Sequence, residues 1–169
     1  MKRKLVQKTS VPIYSLQERI RRDETIWTLV QGILAPIQFL VFLVSLFFVI
    51  RFLITGLGYE IATVSIVIKT IILYIIMVTG AIWEKTVFGQ YLLAKSFFWE
   101  DIVSFFVIAF HSLYIFVLFT DYLNHYYLIT IALIAYFIYL INAIQFLLKF
   151  KLAKKTRFED ISSADGVMT

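Results

Sequence analysis

Four long apolar runs dominate this chain, near Ile26–Ile50, Ile61–Trp83, Ile102–Thr120 and Tyr126–Leu148. A helix needs about 20 apolar residues to cross the hydrocarbon layer of a bilayer. The first run carries no charge, and the second carries only Lys69. The third has only His111 among ionisable groups apart from tyrosine, and the fourth is uncharged but holds Asn142 and Gln145. Backbone in lipid must satisfy its own hydrogen bonds, which leaves helices and closed barrels. Unbroken apolar runs lack the alternation of a barrel strand. The expected fold is all-α, an integral membrane four-helix bundle.

Composition agrees. Of 169 residues, 61% are hydrophobic, whereas soluble domains are roughly half apolar. The boundaries read as a basic N-terminal segment at 1–25, a membrane domain at 26–150 and a basic, partly disordered tail at 151–169. The net charge of +5 is carried mainly by the two ends. That pattern suits anionic lipid headgroups and argues against nucleic acid. The chain has no cysteine, which removes disulfides, thiolate catalysis and iron–sulfur clusters. With only His111 and His125, a His-rich metal site is not expected. No short apolar stretch with a cleavage site follows the first 24 residues, so no removable signal peptide is expected.

Lysine and arginine set the expected orientation. Met1–Glu24 holds seven, the connection Glu84–Asp101 holds Lys85 and Lys95, and the tail from Lys149 holds five. The opposite side has Arg51 alone. The richer side faces the cytoplasm, and Trp27, Trp83 and Trp99 fall at that interface. Ser15 and Glu18 form a capping-box pattern, consistent with a short surface helix or a disordered basic arm. Pro36 removes a backbone bond to Gly32 inside the first span. The second connection carries Val87, Phe88, Tyr91, Leu92, Phe97 and Phe98. It is expected to lie in the membrane interface or dip into the bundle.

Polar groups within a membrane are costly and are functional candidates. Glu84, Glu100 and Asp101 sit at the cytoplasmic ends of helices. His111 lies roughly 14 Å into its helix at 1.5 Å per residue. Glu100, Ser104, Val107 and His111 follow a 4-3-4 spacing that stacks them on one face. Asn142, Gln145 and Lys149 share a face, and Gln31, Gln38 and Ser45 recur every seven residues. Plainer readings stand beside these. Glu84 and Lys85 could be an interfacial charge pair, and Glu100 and Asp101 could serve the helix dipole. His111 could be a buried histidine bonded to an amide, and Asn142 and Gln145 could be interhelical hydrogen-bond partners. Lys69 is expected to snorkel outward, away from any site.

The stretch WTLVQGILAPIQFLVFLVSLFFVIRFL at Trp27–Leu53 resembles the 3-vinyl bacteriochlorophyllide hydratase family. So do IVIKTIILYIIMVTGAIWEKTVF within Thr63–Phe88, FFWEDIVSFFVIAFHSLY at Phe97–Tyr114, and INAIQFLLK near the end of the fourth span. The resemblance covers most of residues 27–150. Thr86 stands after Glu-Lys where the family pattern leads one to expect an acidic residue.

The resemblance implies addition of water across the ring-A vinyl group of a chlorophyllide-type macrocycle, giving a hydroxyethyl group in bacteriochlorophyll biosynthesis. It implies no cofactor beyond the magnesium carried by the substrate. Implied partners are the pigment, membrane lipid and other pigment-biosynthesis enzymes. The implied location is the cytoplasmic membrane of a phototrophic bacterium. Vinyl hydration can begin with protonation of the terminal carbon by a carboxylic acid. Burial and a neighbouring carboxylate both help a carboxyl keep its proton. Glu100 beside Asp101, with Glu84 on the adjoining helix, offers both, and Glu100 is the first candidate for the acid. His111 is a candidate either to handle the water or to ligate the substrate's magnesium. Gln38, Asn142, Gln145, Trp83 and Trp99 are candidate substrate contacts. Two other readings remain open: a non-catalytic tetrapyrrole-binding or pigment-delivery protein, and a channel or transporter subunit using Lys69 and the amides.

The charge asymmetry predicts that both termini are cytoplasmic. Reporters active only outside the cytoplasm should stay silent when fused at either end, and one active terminus would overturn the helix count or the orientation.

Overall fold

The computed structural model describes residues 13–120 and 123–165, with side chains up to Lys154. Most of the basic arm and the last four residues of the tail lie outside the described residues. The described chain forms helices α1 (Leu16–Glu24), α2 (Ile26–Thr55), α3 (Tyr59–Phe88), α4 (Phe98–Thr120) and α5 (His125–Asp165). α2, α3, α4 and the His125–Lys154 part of α5 are each long and apolar enough to cross a membrane. The protein is thus an all-helical membrane protein.

α1 starts as the capping-box pattern predicts. Glu18 N–H donates to Ser15 Oγ at 3.4 Å, and Ser15 N–H donates to Glu18 Oε2 at 2.7 Å. Two orphan donors are satisfied reciprocally. Thr25 ends α1 and caps α2, its Oγ1 accepting from Trp27 N–H. Just before α1, Tyr14 packs against Phe88 and Phe97, and the Arg22 guanidinium sits 4.7 Å from its ring centre. Burial pushes the Tyr14 phenol above its usual range, partly offset by Arg22. Ser96 Oγ donates to Ile13 O at 2.6 Å, tying this segment to the α3–α4 connection. α1, that connection and Lys149 mark one end of the bundle, here termed the basic end.

α2 and α3 pack as one close hairpin, and α4 and α5 as another. Gly56 closes α2 in the left-handed region at φ 71°, a conformation glycine adopts without steric cost. Polar side chains fix the register of α2 on α3. Gln31 Nε2 donates to Thr79 Oγ1 at 2.8 Å. Fourteen residues along α2 and fourteen back along α3, the Ser45 and Ser65 hydroxyls are bonded at 2.7 Å. Small residues allow the close approach expected of membrane helices: Ala62 in α3 and Ala132 and Ala135 in α5 are wholly buried. Between the hairpins the seam is filled by large side chains, with Phe42 against Tyr136 and Tyr139 at ring-centre distances of 5.3 and 4.9 Å. The outer faces are apolar and exposed, as at Phe47, Phe116, Phe119 and Phe137.

α5 carries the chain on through Asp165. No glycine or proline interrupts the chain between Lys149 and Asp165, and Gly166 comes just after the helix ends. A helix leaving the bilayer has no local signal to stop earlier. Pro36 lies within α2 on an exposed face, and the helix runs on past it.

Ala132→Leu should destabilise the bundle by about 1–3 kcal/mol through overpacking. The lipid-facing change Val78→Leu should stay within about 0.5 kcal/mol of the parent. Unfolding in mixed detergent micelles checks both.

Candidate active site

The face of α4 that carries the 4-3-4 spacing is the buried one: Glu100, Ser104, Val107 and His111, joined by Asp101 and Tyr114. At the basic end α4 meets the last turn of α3, and three carboxyl groups gather there. Glu84 and Asp101 face each other across the two helices, and Glu84 also faces the backbone N–H of Ala94. Asp101 Oδ2 accepts from Leu93 N–H at 2.7 Å. Leu93 holds a left-handed conformation at φ 62°, costly for a residue with a side chain. It turns its N–H onto Asp101.

Glu84 is 3% exposed and Asp101 6%. As ionised groups both could only accept, and Glu84 Oε2 would be left without a partner. A carboxyl that holds its proton donates, and two buried carboxyls facing each other suit one proton between them.

Glu100 is placed differently. Its carboxylate meets Lys149, with Nζ 3.2 Å from Oε1 and 3.4 Å from Oε2. An ammonium partner fits the ionised form of a carboxyl. Lys85 does not pair with Glu84. It donates to Gly89 O at 2.8 Å and closes the end of α3, where Gly89 takes φ 85°.

Asn142 sits one layer deeper. Its Nδ2 donates to Glu100 O at 2.9 Å and to Ser104 Oγ at 3.0 Å, locking α5 to α4. Gln145 is half-buried with its Oε1 unpartnered. Gln38 is fully buried, and both polar atoms of its amide lack partners. Trp83 is half-buried beside the carboxylates, edge-on to Phe88 and Phe97, with Nε1 donating to Thr28 Oγ1 at 2.9 Å. Trp99 is 70% exposed and packs on Phe98, so it stands outside this group. The 89–97 connection tucks Ala94 and Phe97 into the base of the bundle and leaves Tyr91 exposed.

His111 does not join the carboxylates. It lies ten residues beyond Asp101 on α4, about 15 Å along the axis. Its Nδ1–H donates to Val107 O at 2.7 Å, which leaves Nε2 as the acceptor, and Lys69 Nζ donates to it. Both ring nitrogens are thus engaged, and neither is free for water or magnesium in this arrangement. Lys69 corrects the sequence expectation. It is wholly buried and does not snorkel. Its spacing carried the signal: Ala62, Ile66, Lys69 and Leu73 follow a 4-3-4 buried stripe, and Glu84 and Val87 continue that buried face near the end of α3. His125, by contrast, is exposed and stacks on Tyr59. Among the described residues no three His, Cys, Asp or Glu side chains converge on a metal-sized site.

Comparison with known proteins now bears on this geometry. The family model for 2-vinyl bacteriochlorophyllide hydratase matches residues 14–152. The 2-vinyl bacteriochlorophyllide hydratase of Rhodobacter capsulatus is 61% identical over 142 residues, covering 84% of this chain and 82% of that protein. The 2-vinyl bacteriochlorophyllide hydratase of Cereibacter sphaeroides is 60% identical over 142 residues, covering 84% and 88%. No solved structure matches significantly. Position numbers 2 and 3 in these names differ in wording only. The matched stretch holds Glu84, Glu100, Asp101, His111 and Lys69 together, and the chain belongs to the 2-vinyl bacteriochlorophyllide hydratase family.

Proposed function

We propose that this chain adds water to the ring-A vinyl group of a bacteriochlorophyllide-type macrocycle, with the Glu84–Asp101 pair as its proton-transfer unit. Family membership supports the reaction. The site assignment rests on one observation: two carboxyl groups face each other, buried, beside an aromatic wall of Trp83 and Phe97. That wall suits a flat conjugated ligand.

The shared proton moves to the terminal vinyl carbon, making it a methyl group. The positive charge falls on the carbon next to the ring, where conjugation spreads it. The carboxylate left behind stabilises that charge electrostatically. Water adds to the cationic carbon and gives its extra proton to the same carboxylate. The pair returns to its starting state, and the net change is addition of one water. This cycle moves no electrons to or from the protein and needs no cofactor beyond the substrate's own magnesium. Glu100, held by Lys149, positions α4 against α5.

The same reading places the chain in the cytoplasmic membrane of a phototrophic bacterium, with the basic end and both termini cytoplasmic. The pigment enters from the lipid, and other pigment-biosynthesis enzymes supply it and receive the product.

Purified protein should convert a vinyl bacteriochlorophyllide to a product heavier by one water. Asp101→Asn and Glu84→Gln should each lower turnover by roughly 100- to 10,000-fold, the usual contribution of a general acid, while pigment affinity is kept. Glu100→Gln should lose less, because it removes a charge and not the proton donor. If all three variants turn over at the parent rate, these groups only hold the helix ends. If the parent binds pigment and yields no product, the delivery-protein reading takes its place.

A further inference from the structure

The proposed proton transfer leaves a second buried polar group unused: Lys69, whose partner His111 lies about 15 Å beyond Asp101 along α4. Lys69 is wholly buried. Among the described residues no carboxylate pairs with it; His111 Nε2 takes one N–H. The rings of Tyr139 and Tyr136 lie 4.1 and 5.2 Å from Nζ. An amine has three N–H groups when charged, so donor capacity is left over on a side chain shut off from bulk solvent. A buried polar group without partners is costly.

Gln38 adds an independent observation. It is 2% exposed, and its amide nitrogen and oxygen both lack partners. The Gln31–Thr79 and Ser45–Ser65 bonds fix the antiparallel register of α2 on α3. Seven residues on from Gln31, and seven back from Thr79, Gln38 lies level with Ile72. That is about 4.5 Å along the axis from Lys69. An amine with donor capacity to spare and an amide without partners therefore lie within about a turn of each other in the interior.

Resting on the hydratase reading, we infer that Lys69, supported by Gln38, binds an sp² oxygen on the side of the macrocycle away from ring A. A bacteriochlorophyllide carries two such groups there, the ring-E ketone and the propionate carboxylate. The rise along α4 from Asp101 to His111, the partner of Lys69, is of the order of a tetrapyrrole's width. With its oxygen on Lys69, a macrocycle lying in the seam presents its vinyl group at Glu84 and Asp101. The seam is closed by Phe42, Tyr136 and Tyr139, and the flat ring takes the place of these aromatic contacts when the hairpins part. Lys69 is then a binding residue that sets which edge of the substrate reaches the acid.

The test measures kcat and KM of the full chain in micelles with three substrates: the parent vinyl pigment, an analogue with the propionate replaced by propyl, and an analogue with the ketone reduced to methylene. Lys69→Met keeps the length of the side chain and removes the donor. It should raise KM for the parent pigment roughly 10- to 100-fold, the worth of one hydrogen bond to a charged group, with kcat changed far less. The analogue lacking the bound oxygen should show that same rise with the unmodified chain, and Lys69→Met should add nothing to it. The methylene analogue identifies the ketone as the bound group, and the propyl analogue identifies the carboxylate. A rise of equal size for all three substrates makes Lys69 a support for His111 and overturns the inference. So does an unmodified chain that handles the three substrates alike, a result that holds even if Lys69→Met fails to fold. An unmodified chain that hydrates none of them overturns the hydratase reading, and this inference with it.

Discussion

Hydrocarbon offers no hydrogen-bond partners, so a polar side chain within these four spans is drawn to whatever partners the bundle interior holds. The rest of the structure follows from that constraint. The helices turn lipid-soluble side chains outward on nearly every face. Their few polar residues are drawn to the interior, and many of them join one helix to another. Gln31 reaches Thr79, Ser45 reaches Ser65 and Tyr136, Tyr74 reaches Ser112, and Asn142 reaches Ser104. In water such bonds would be worth little net free energy. Here they specify which helices meet and at what level, because the apolar surfaces by themselves are indifferent to register.

Those bonds divide the interior into layers with different chemistry. At the basic end, Glu84 and Asp101 face each other and Glu100 takes an ammonium partner. Two carboxyls at nearly the same depth on α4 thus come to play different parts. Asp101 points at α3 and meets another acid, whereas Glu100 points at α5 and meets a base. Adjacent residues on a helix diverge by about 100°, since one turn takes 3.6 residues, so neighbours in sequence belong to different interfaces. Deeper in, Lys69 and His111 form a layer with no acid at all. The separation of acid and base along the bundle axis suits a long flat substrate with a reactive group at one edge and oxygen functions toward the other.

Packing also bears on how such a substrate gains entry. Each hairpin is closed tightly on itself, and the two hairpins are joined through aromatic side chains and a handful of polar bonds. A seam of this kind parts more readily than a helix pair whose backbones touch through alanine. The connection between α3 and α4 is fixed at its base by the Asp101–Leu93 and Ser96–Ile13 bonds. Movement that admits pigment would leave the carboxyl pair anchored from the loop side.

Apolar run length alone determined the class of this protein, the number of spans and their approximate limits, because solvation by lipid acts on each helix independently. Short-range chemistry was equally legible: the Ser15–Glu18 cap and the buried α4 face through His111 depend only on residues three or four apart. Recognition of the family rested on residue strings read in order, and it too needed no coordinates. The sequence did not disclose which side chains pair across helices. Lys69 read as a snorkelling residue because the apolar residues around its helix hide the buried stripe, and only α4 brings His111 to it. Glu100 and Asp101 read as equivalent acids because their difference lies in what each faces. Pairings across helices join residues up to 91 positions apart, and they depend on the relative rotation and level of separate helices. Only the tertiary structure could decide them, since no single helix carries that information.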